Sequence, residues 1–253
     1  MKILSIDTSS DICGISLLED NKLILQNDIC TGKTHSENLM PQIDKTFTKT
    51  NLTINDIDLI VTNIGPGSFT GIRIGIAISK SFNDAKNITT IGISSLESLI
   101  YNSKNSGIIA SIIPANNDDF YFAIYNTENK IHNNTTNIET NQNTYNKNIL
   151  NILSEPKLLS FSNILEILKK YKENTITFIG TDLTLKKDKI LSIIPDSIFL
   201  SDSENSLNSY SLGLAGLNNY LNGTISEALP LYLKKPQAQI ELENKLNKNI
   251  SKG

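Results

Sequence analysis

Residues 64–79 read Ile-Gly-Pro-Gly-Ser-Phe-Thr-Gly-Ile-Arg-Ile-Gly-Ile-Ala-Ile-Ser, and they place Gly65, Gly67, Gly71 and Gly75, four of the chain's 13 glycines, within eleven positions. Apolar Leu59-Ile60-Val61 runs into this stretch and reads as a short buried strand. Gly-Pro-Gly ends that strand, since Pro66 cannot donate to a ladder and glycine accepts positive φ. Ser68 or Thr70 can then cap a helix. Ile72, Ile74, Ile76 and Ile78 alternate, so periodicity alone votes for a strand. In a helix, Ile72, Ile76 and Ser79 share one face while Ile74, Ile78 and Phe82 share another. Run length and the capping residues favour a helix from about Thr70 to Asp84, apolar on two sides. Such a helix needs two partners, its own sheet and a second surface.

The loop fits neither familiar nucleotide signature. Gly65 to Gly71 is one residue too long for a Walker loop, and Ile72 sits where the lysine belongs. Thr70 stands where a dinucleotide fingerprint needs its third glycine. A tight strand-to-helix turn with no ligand is a fair alternative reading.

Around this centre the chain is of globular make. Its 253 residues suit one large or two small domains, and 39% hydrophobic with 19% charged residues fits a packed core. A net charge of −3 gives no general attraction to phosphate, and Lys/Arg cluster only as the pairs at 169–170, 186–187 and 234–235. Cys13 and Cys30 make neither a metal knuckle nor a disulfide framework and suit a reducing, cytoplasmic setting. The first residues turn acidic too soon for a signal peptide, and no apolar run approaches the ~20 residues of a membrane span, so no membrane association is expected.

Taken in order, Lys2 to Ile6 reads as a strand ending at Asp7-Thr8-Ser9-Ser10, followed by a hairpin whose apolar beats are Ile15, Leu17, Leu23 and Leu25 about a four-residue turn at 19–22. Thr34-His35-Ser36-Glu37 opens a helix over about 34–49 with Leu39, Met40, Ile43 and Phe47 as one stripe. Ile54 to Ile57 is a short turn, Asp58 to Asn63 and Thr89 to Ile93 are strands, and Ser94-Ser95-Leu96-Glu97 is a capping box that starts a helix to about Asn102. Gly107 to Pro114 and Phe120 to Tyr125 are strands of a second unit. Residues 126–151 hold ten asparagines and read as a variable insert. A helix is expected from Phe161 to Tyr171 and a strand from Ile176 to Ile179, entering Gly180-Thr181-Asp182. Leu207, Tyr210, Leu214, Leu217 and Leu221 predict an amphipathic helix in which Gly213 and Gly216 permit close approach. The division expected is 1–105, 106–239 and a charged tail at 240–253.

Gly-Pro-Gly-Ser-Phe-Thr-Gly-Ile-Arg-Ile-Gly closely resembles the signature of the TsaB (YeaZ) family, accessory proteins of bacterial tRNA threonylcarbamoyladenosine formation. His35-Ser36-Glu37, Ser94-Ser95-Leu96-Glu97, Gly180-Thr181-Asp182 and the segment Leu229 to Ala238 resemble further landmarks of that family, with Lys234 where arginine is usual. Departures occur at 115–121, where only Ala115 and Tyr121 match the family's pattern. The resemblance implies an α/β fold of the actin-like ATPase and sugar-kinase (ribonuclease H-like) superfold, in two lobes. It implies a non-catalytic subunit that binds and activates the catalytic TsaD and supports recruitment of the ATPase TsaE, with tRNA met only through the complex, and it allows a homodimer. ATP is then used by the partners, and this chain holds no cofactor and no metal. Iron in the catalytic paralogue needs two histidines four apart, whereas Leu39 follows His35 by four and His132 lies in a loop-like tract.

Candidate interface residues on the two helices are Leu39, Ile43, Phe47, Ile74, Ile78 and Phe82. The signature loop comprises Gly65, Pro66, Gly67, Ser68, Phe69, Thr70, Gly71 and Arg73. The last is the chain's sole arginine, expected to pair with an internal acid such as Asp7 or across an interface. Asp7, Thr8 and Ser9 form a possible vestigial nucleotide loop in which Ser9 replaces the superfamily's glycine. If that loop still closed around phosphates, the chain would be an ATP-binding phosphotransferase or hydrolase. A peptidase would need a metal pair or a nucleophile–histidine set that these motifs lack.

Overall fold

Apolar residues of the first strand point alternately to two faces, and both faces are covered. In the computed structural model, which describes residues 1–31, 34–116, 118–127, 150–202 and 204–234, β1 (Lys2–Asp7), β2 (Ile12–Glu19), β3 (Lys22–Cys30), β4 (Leu59–Asn63) and β5 (Thr89–Ile93) form one sheet in the order β3-β2-β1-β4-β5. Strands β1 to β3 are antiparallel neighbours, and β1, β4 and β5 run parallel, with Ile3 opposite Leu59 and Val61 opposite Ile91. The connecting helices are α1 (His35–Thr50) and α2 (Phe69–Lys86), and α3 (Ser95–Ile100) follows β5.

The chain then repeats itself. Strands β6 (Gly107–Pro114), β7 (Asp119–Thr127), β8 (Leu150–Ser160), β9 (Ile176–Gly180) and β10 (Ile198–Phe199) form a second sheet in the order β10-β9-β6-β7-β8. Its helices are α4 (Phe161–Leu168), α5 (Lys187–Leu191) and α6 (Ser209–Asn222). Each half is thus a βββαβαβα unit with the same strand order. This duplicated unit is the two-lobed actin-like architecture of the α/β class.

Each lobe keeps its first two helices outside and sends its last helix inward. Helices α1 and α2 cover Leu4, Ile6, Ile15, Leu17 and Ile60 on the outer face of the first sheet, and α4 and α5 cover Phe120, Phe122 and Phe178 on the outer face of the second. Helix α3 packs on β6, β7 and β9 of the other lobe, while α6 returns to β1, β2 and β5. The central core between the sheets therefore joins Ile3, Val61 and Ile93 to Ile109, Tyr125 and Ile179 through Leu96, Leu99, Leu212 and Ala215.

Several sequence expectations need correction. The helix of 207–221 is not amphipathic: from Ser209 to Asn219 all but Tyr210 are buried, because sheet and α3 enclose it on both sides. A Cβ at Gly216 would lie 2.2 Å from Val61 Cγ2, so only glycine admits that approach. The hairpin turn is tighter than expected, since Glu19 still pairs with Lys22 and Asp20 takes φ 56°. Strand β8 was hidden by Pro156 and by side chains exposed on both faces. It is an edge strand with register shifts, where proline is tolerated. The short α5 and β10 carry no legible period. Asn126, Thr127, Leu150 and Asn151 belong to β7 and β8, whereas the rest of the asparagine-rich insert, His132, residues 235–238 and the tail at 240–253 lie outside the described residues.

Candidate functional site

The glycines of the signature loop exist because another loop lies against them. Ser68 caps α2, its Oγ accepting from the Gly71 N–H at 3.2 Å. The Ser68 N–H itself donates to the Ser9 carbonyl at 2.7 Å. A Cβ at Gly67 would stand 2.2 Å from Ser9 O, and one at Gly71 would stand 1.9 Å from Thr8 O. Thr8 Oγ1 completes the contact by donating to the Gly71 carbonyl at 2.7 Å. Amides at a helix N-terminus are a ready anion site, and here the turn after β1 packs against that end, taking the Ser68 N–H and the space over Gly67 and Gly71.

Asp7, Thr8 and Ser9 are all buried, at 3%, 1% and 2% exposure. Asp7 Oδ1 accepts from the Ser9 N–H at 2.9 Å and the Ser9 hydroxyl at 2.7 Å, and Oδ2 accepts from Asn63 Nδ2 at 3.0 Å. Burial raises the Asp7 carboxyl above its ordinary range, and these three bonds oppose the rise. Asn63 Oδ1 in turn accepts from the Gly65 N–H and the Ser95 hydroxyl, both at 2.8 Å. Both oxygens of Asp7 therefore already have donors. His35 ties α1 to the same turn: its Nε2–H donates to the Ser10 carbonyl at 2.8 Å, and Nδ1 lies 3.4 Å from Thr31 Oγ1.

The outer face is different in kind. Leu39 and Ile43 are core residues at 0% and 2% exposure, so Leu39 offers no surface to a partner and Ile43 only its edge in the groove described next. Phe47, Ile74, Ile78 and Phe82 are half-buried at the rim of the same cluster. Between the C-terminal half of α1, the 51–54 turn and Phe82 lies an open groove of about 580 Å³ lined by Met40, Ile43, Phe47, Leu52, Ile54 and Phe82. Met40, 47% exposed, is the most open of the large apolar side chains on the two helices.

Arg73 does not meet Asp7 or any other acid among the described residues. Its guanidinium lies 4.0 Å over the Phe69 ring, and its Nε–H donates to the Tyr232 hydroxyl at 2.7 Å. Phe69 and Tyr232 stack with centroids 4.8 Å apart. Sequence reading singled out the 229–238 segment but gave Tyr232 no role. The signal available was an unpaired lone arginine and a tyrosine in a proline-flanked stretch, and nothing in the spacing joins positions 159 apart.

A family model described as TsaD, tRNA N6-adenosine threonylcarbamoyltransferase, matches residues 29–242. The tRNA threonylcarbamoyladenosine biosynthesis protein TsaB of Bacillus subtilis (strain 168) is 29% identical over 201 residues, which is 79% of this chain and 80% of that protein. The chain belongs to that family, in its TsaB (YeaZ) branch. The Escherichia coli (strain K12) TsaB is 30% identical over 128 residues, covering 49% of this chain and 55% of that protein. The structure of YeaZ from Pseudomonas aeruginosa shares the fold at a TM-score of 0.64 and 18% identity, covering 92% of this chain and 99% of that one.

The stretches that resemble landmarks of the TsaB family fall at the joints of the molecule. Ser94 caps α3, accepting from the Glu97 N–H at 3.1 Å, and Glu97 Oε1 accepts from Asn219 Nδ2 of α6 at 2.9 Å. Burial raises the Glu97 carboxyl to about 7. The Gly180 N–H donates to Asn205 Oδ1 at 3.0 Å. Segment 224–234 straps the first lobe, with Gly92 N–H donating to Ser226 O at 2.9 Å and Leu231 N–H to Ile64 O at 2.8 Å. No helix among the described residues is long and apolar enough to cross a membrane.

Proposed function

We propose that this chain is a non-catalytic scaffold subunit of the assembly that transfers threonylcarbamoyl to the tRNA adenosine beside the anticodon. In this reading it binds and activates the catalytic TsaD homologue through the outer face of α1 and α2 and supports attachment of the ATPase TsaE. The observation that carries the reading is the contrast along α2. At its N-terminal end the turn of Thr8 and Ser9 packs against Gly67 and Gly71, and the Ser9 carbonyl takes the Ser68 N–H. Near its C-terminal end an apolar groove stays open. The polar atoms of Asp7 are consumed within the fold, which favours a role in assembly over phosphoryl transfer. ATP is used by the partner subunits, this chain holds no cofactor of its own, and a cytoplasmic setting follows from the reaction. With a net charge of −3, tRNA is met through the complex.

Reconstitution tests the reading. Threonylcarbamoyladenosine formation on tRNA by the TsaD and TsaE homologues is expected to need this chain, while the chain alone neither binds Mg-ATP at micromolar concentration nor turns it over. Modification at full rate without the chain, or ATP hydrolysis by it alone, overturns the proposal.

A further inference from the structure

The Arg73 platform lies on a different side of α2 from the groove. Arg73 and Phe82 are nine residues apart on that helix. At 100° and 1.5 Å per residue, this is about 14 Å along the axis and about half a turn around it. Arg73 is therefore not part of the groove's lining. Around it are Phe69, 37% exposed, and Tyr232, 42% exposed. The aromatic ring beneath Arg73 and the Tyr232 hydroxyl on Nε fix the guanidinium, yet engage only one of its five N–H donors in a hydrogen bond. The two terminal amino groups make no hydrogen bond and no ion pair to any described residue.

An arginine held over an aromatic ring, with its terminal fork unpaired among the described residues, is pre-organised for bidentate capture of a carboxylate. Arginine, tyrosine and phenylalanine together are also the composition of interface anchors. No described residue supplies an acid to this fork, and a net charge of −3 gives no general attraction to a nucleic-acid backbone. We infer that Phe69, Arg73 and Tyr232 form a second docking surface, which takes an Asp or Glu side chain of a protein other than the one that fills the groove. This rests on the scaffold reading above, in which two different proteins attach to one chain.

The test uses the intact chain with the purified TsaD homologue, and then the TsaE homologue as the probe for the second surface. Arg73→Gln is expected to leave the pair with TsaD unchanged and to weaken TsaE attachment to that pair about tenfold or more. Arg73→Lys keeps the charge but loses the fork, and is expected to recover only part of the affinity. Wild-type attachment should weaken as salt rises from 0.1 to 0.5 M, and the Arg73→Gln complex should show a flatter salt dependence. The melting temperature of both variants should stay within about 2 °C of wild type, because the cluster is exposed. Equal TsaE attachment and equal salt slope for wild type and Arg73→Gln would overturn the inference and leave the cluster as a clasp for the 224–234 strap. Loss of TsaD binding in Arg73→Gln would also overturn it, since the surface would then belong to the first partner. Failure of wild type to bind TsaD at all would instead sink the scaffold reading, and this inference with it.

Discussion

The two lobes are built from one plan and differ in what they place outside. In the first lobe the outer helices α1 and α2 have 16 and 18 residues, and in the second their counterparts α4 and α5 have 8 and 5. The inward helices reverse the order, with 6 residues in α3 and 14 in α6. Among the described residues no strongly exposed large apolar side chain falls on α4 or α5, whereas α1 and α2 carry Met40 and Phe69 and half-bury Phe47, Ile74, Ile78 and Phe82. Helices that only roof a sheet can be short. Longer helices that keep apolar residues at the rim offer surface besides the side that roofs the sheet. Among the outer helices the comparison thus places the exposed apolar surface on the first lobe, whereas in the second lobe it falls on the strands β8 and β10, at Ile152, Leu153 and Ile198.

The comparison can be broken most severely inside the first lobe. Leu39→Glu places a charge in a fully buried site and is expected to abolish folding, with a loss of more than about 4 kcal/mol seen as aggregation or a lost cooperative melt. A variant that melts normally would mean that α1 is not seated as described. Next comes Gly71→Ala. Its new methyl meets the Thr8 carbonyl, backbone that cannot rotate away. A cost of about 3 kcal/mol, or roughly 6–12 °C in melting temperature, is expected. An unchanged melt would show that the turn after β1 does not fill this site.

Much of the first lobe was legible because its signals are local. The capping serines at 68 and 94, the apolar stripe of α1 and the Gly-Pro-Gly stop each sit within a few residues of the element they define. The second lobe was less legible for the same reason. Strand β8 is an edge with a proline, β10 spans two residues, and α6 looks amphipathic only until both of its neighbours are known. At the candidate site the sequence marked the signature loop with Arg73, and separately Asp7, Thr8 and Ser9, with Asp7 as one of two partners open to the arginine. It missed that Thr8 and Ser9 close the loop and that Arg73 turns away to Tyr232, because both facts depend on contacts between distant segments.

The seam between the lobes gives a gentler test. Burial raises the Glu97 carboxyl to about 7, its charge acts on the neighbouring Tyr101 and Tyr125, and no cation among the described residues pairs with it. The folded state then holds a proton that the unfolded chain releases near pH 4.5. Stability from this group is full below about 4.5 and is lost as pH rises through about 7. Glu97→Gln, which keeps an acceptor for Asn219, should gain about 2 kcal/mol at pH 8 and flatten the dependence of melting temperature on pH between 5 and 8. An identical pH profile in the variant would remove Glu97 from the account. The least effect is expected on the outside of the second lobe. There the Lys169–Glu166 pair is exposed at both ends, so Lys169→Ala should leave the melting temperature within error.

The most direct measurement is the mass of the TsaD mixture by light scattering after size exclusion, for wild type and for Phe82→Glu. Phe82 is half-buried at the groove rim, so its replacement should keep the fold while placing a charge where the partner's apolar surface must seat. Wild type is expected to run at the mass of a stoichiometric complex, and Phe82→Glu, with a normal melt, to elute apart from TsaD with affinity reduced at least about 100-fold. A well-folded Phe82→Glu that still forms the full complex would contradict the assignment of the α1–α2 face as the scaffold's working surface.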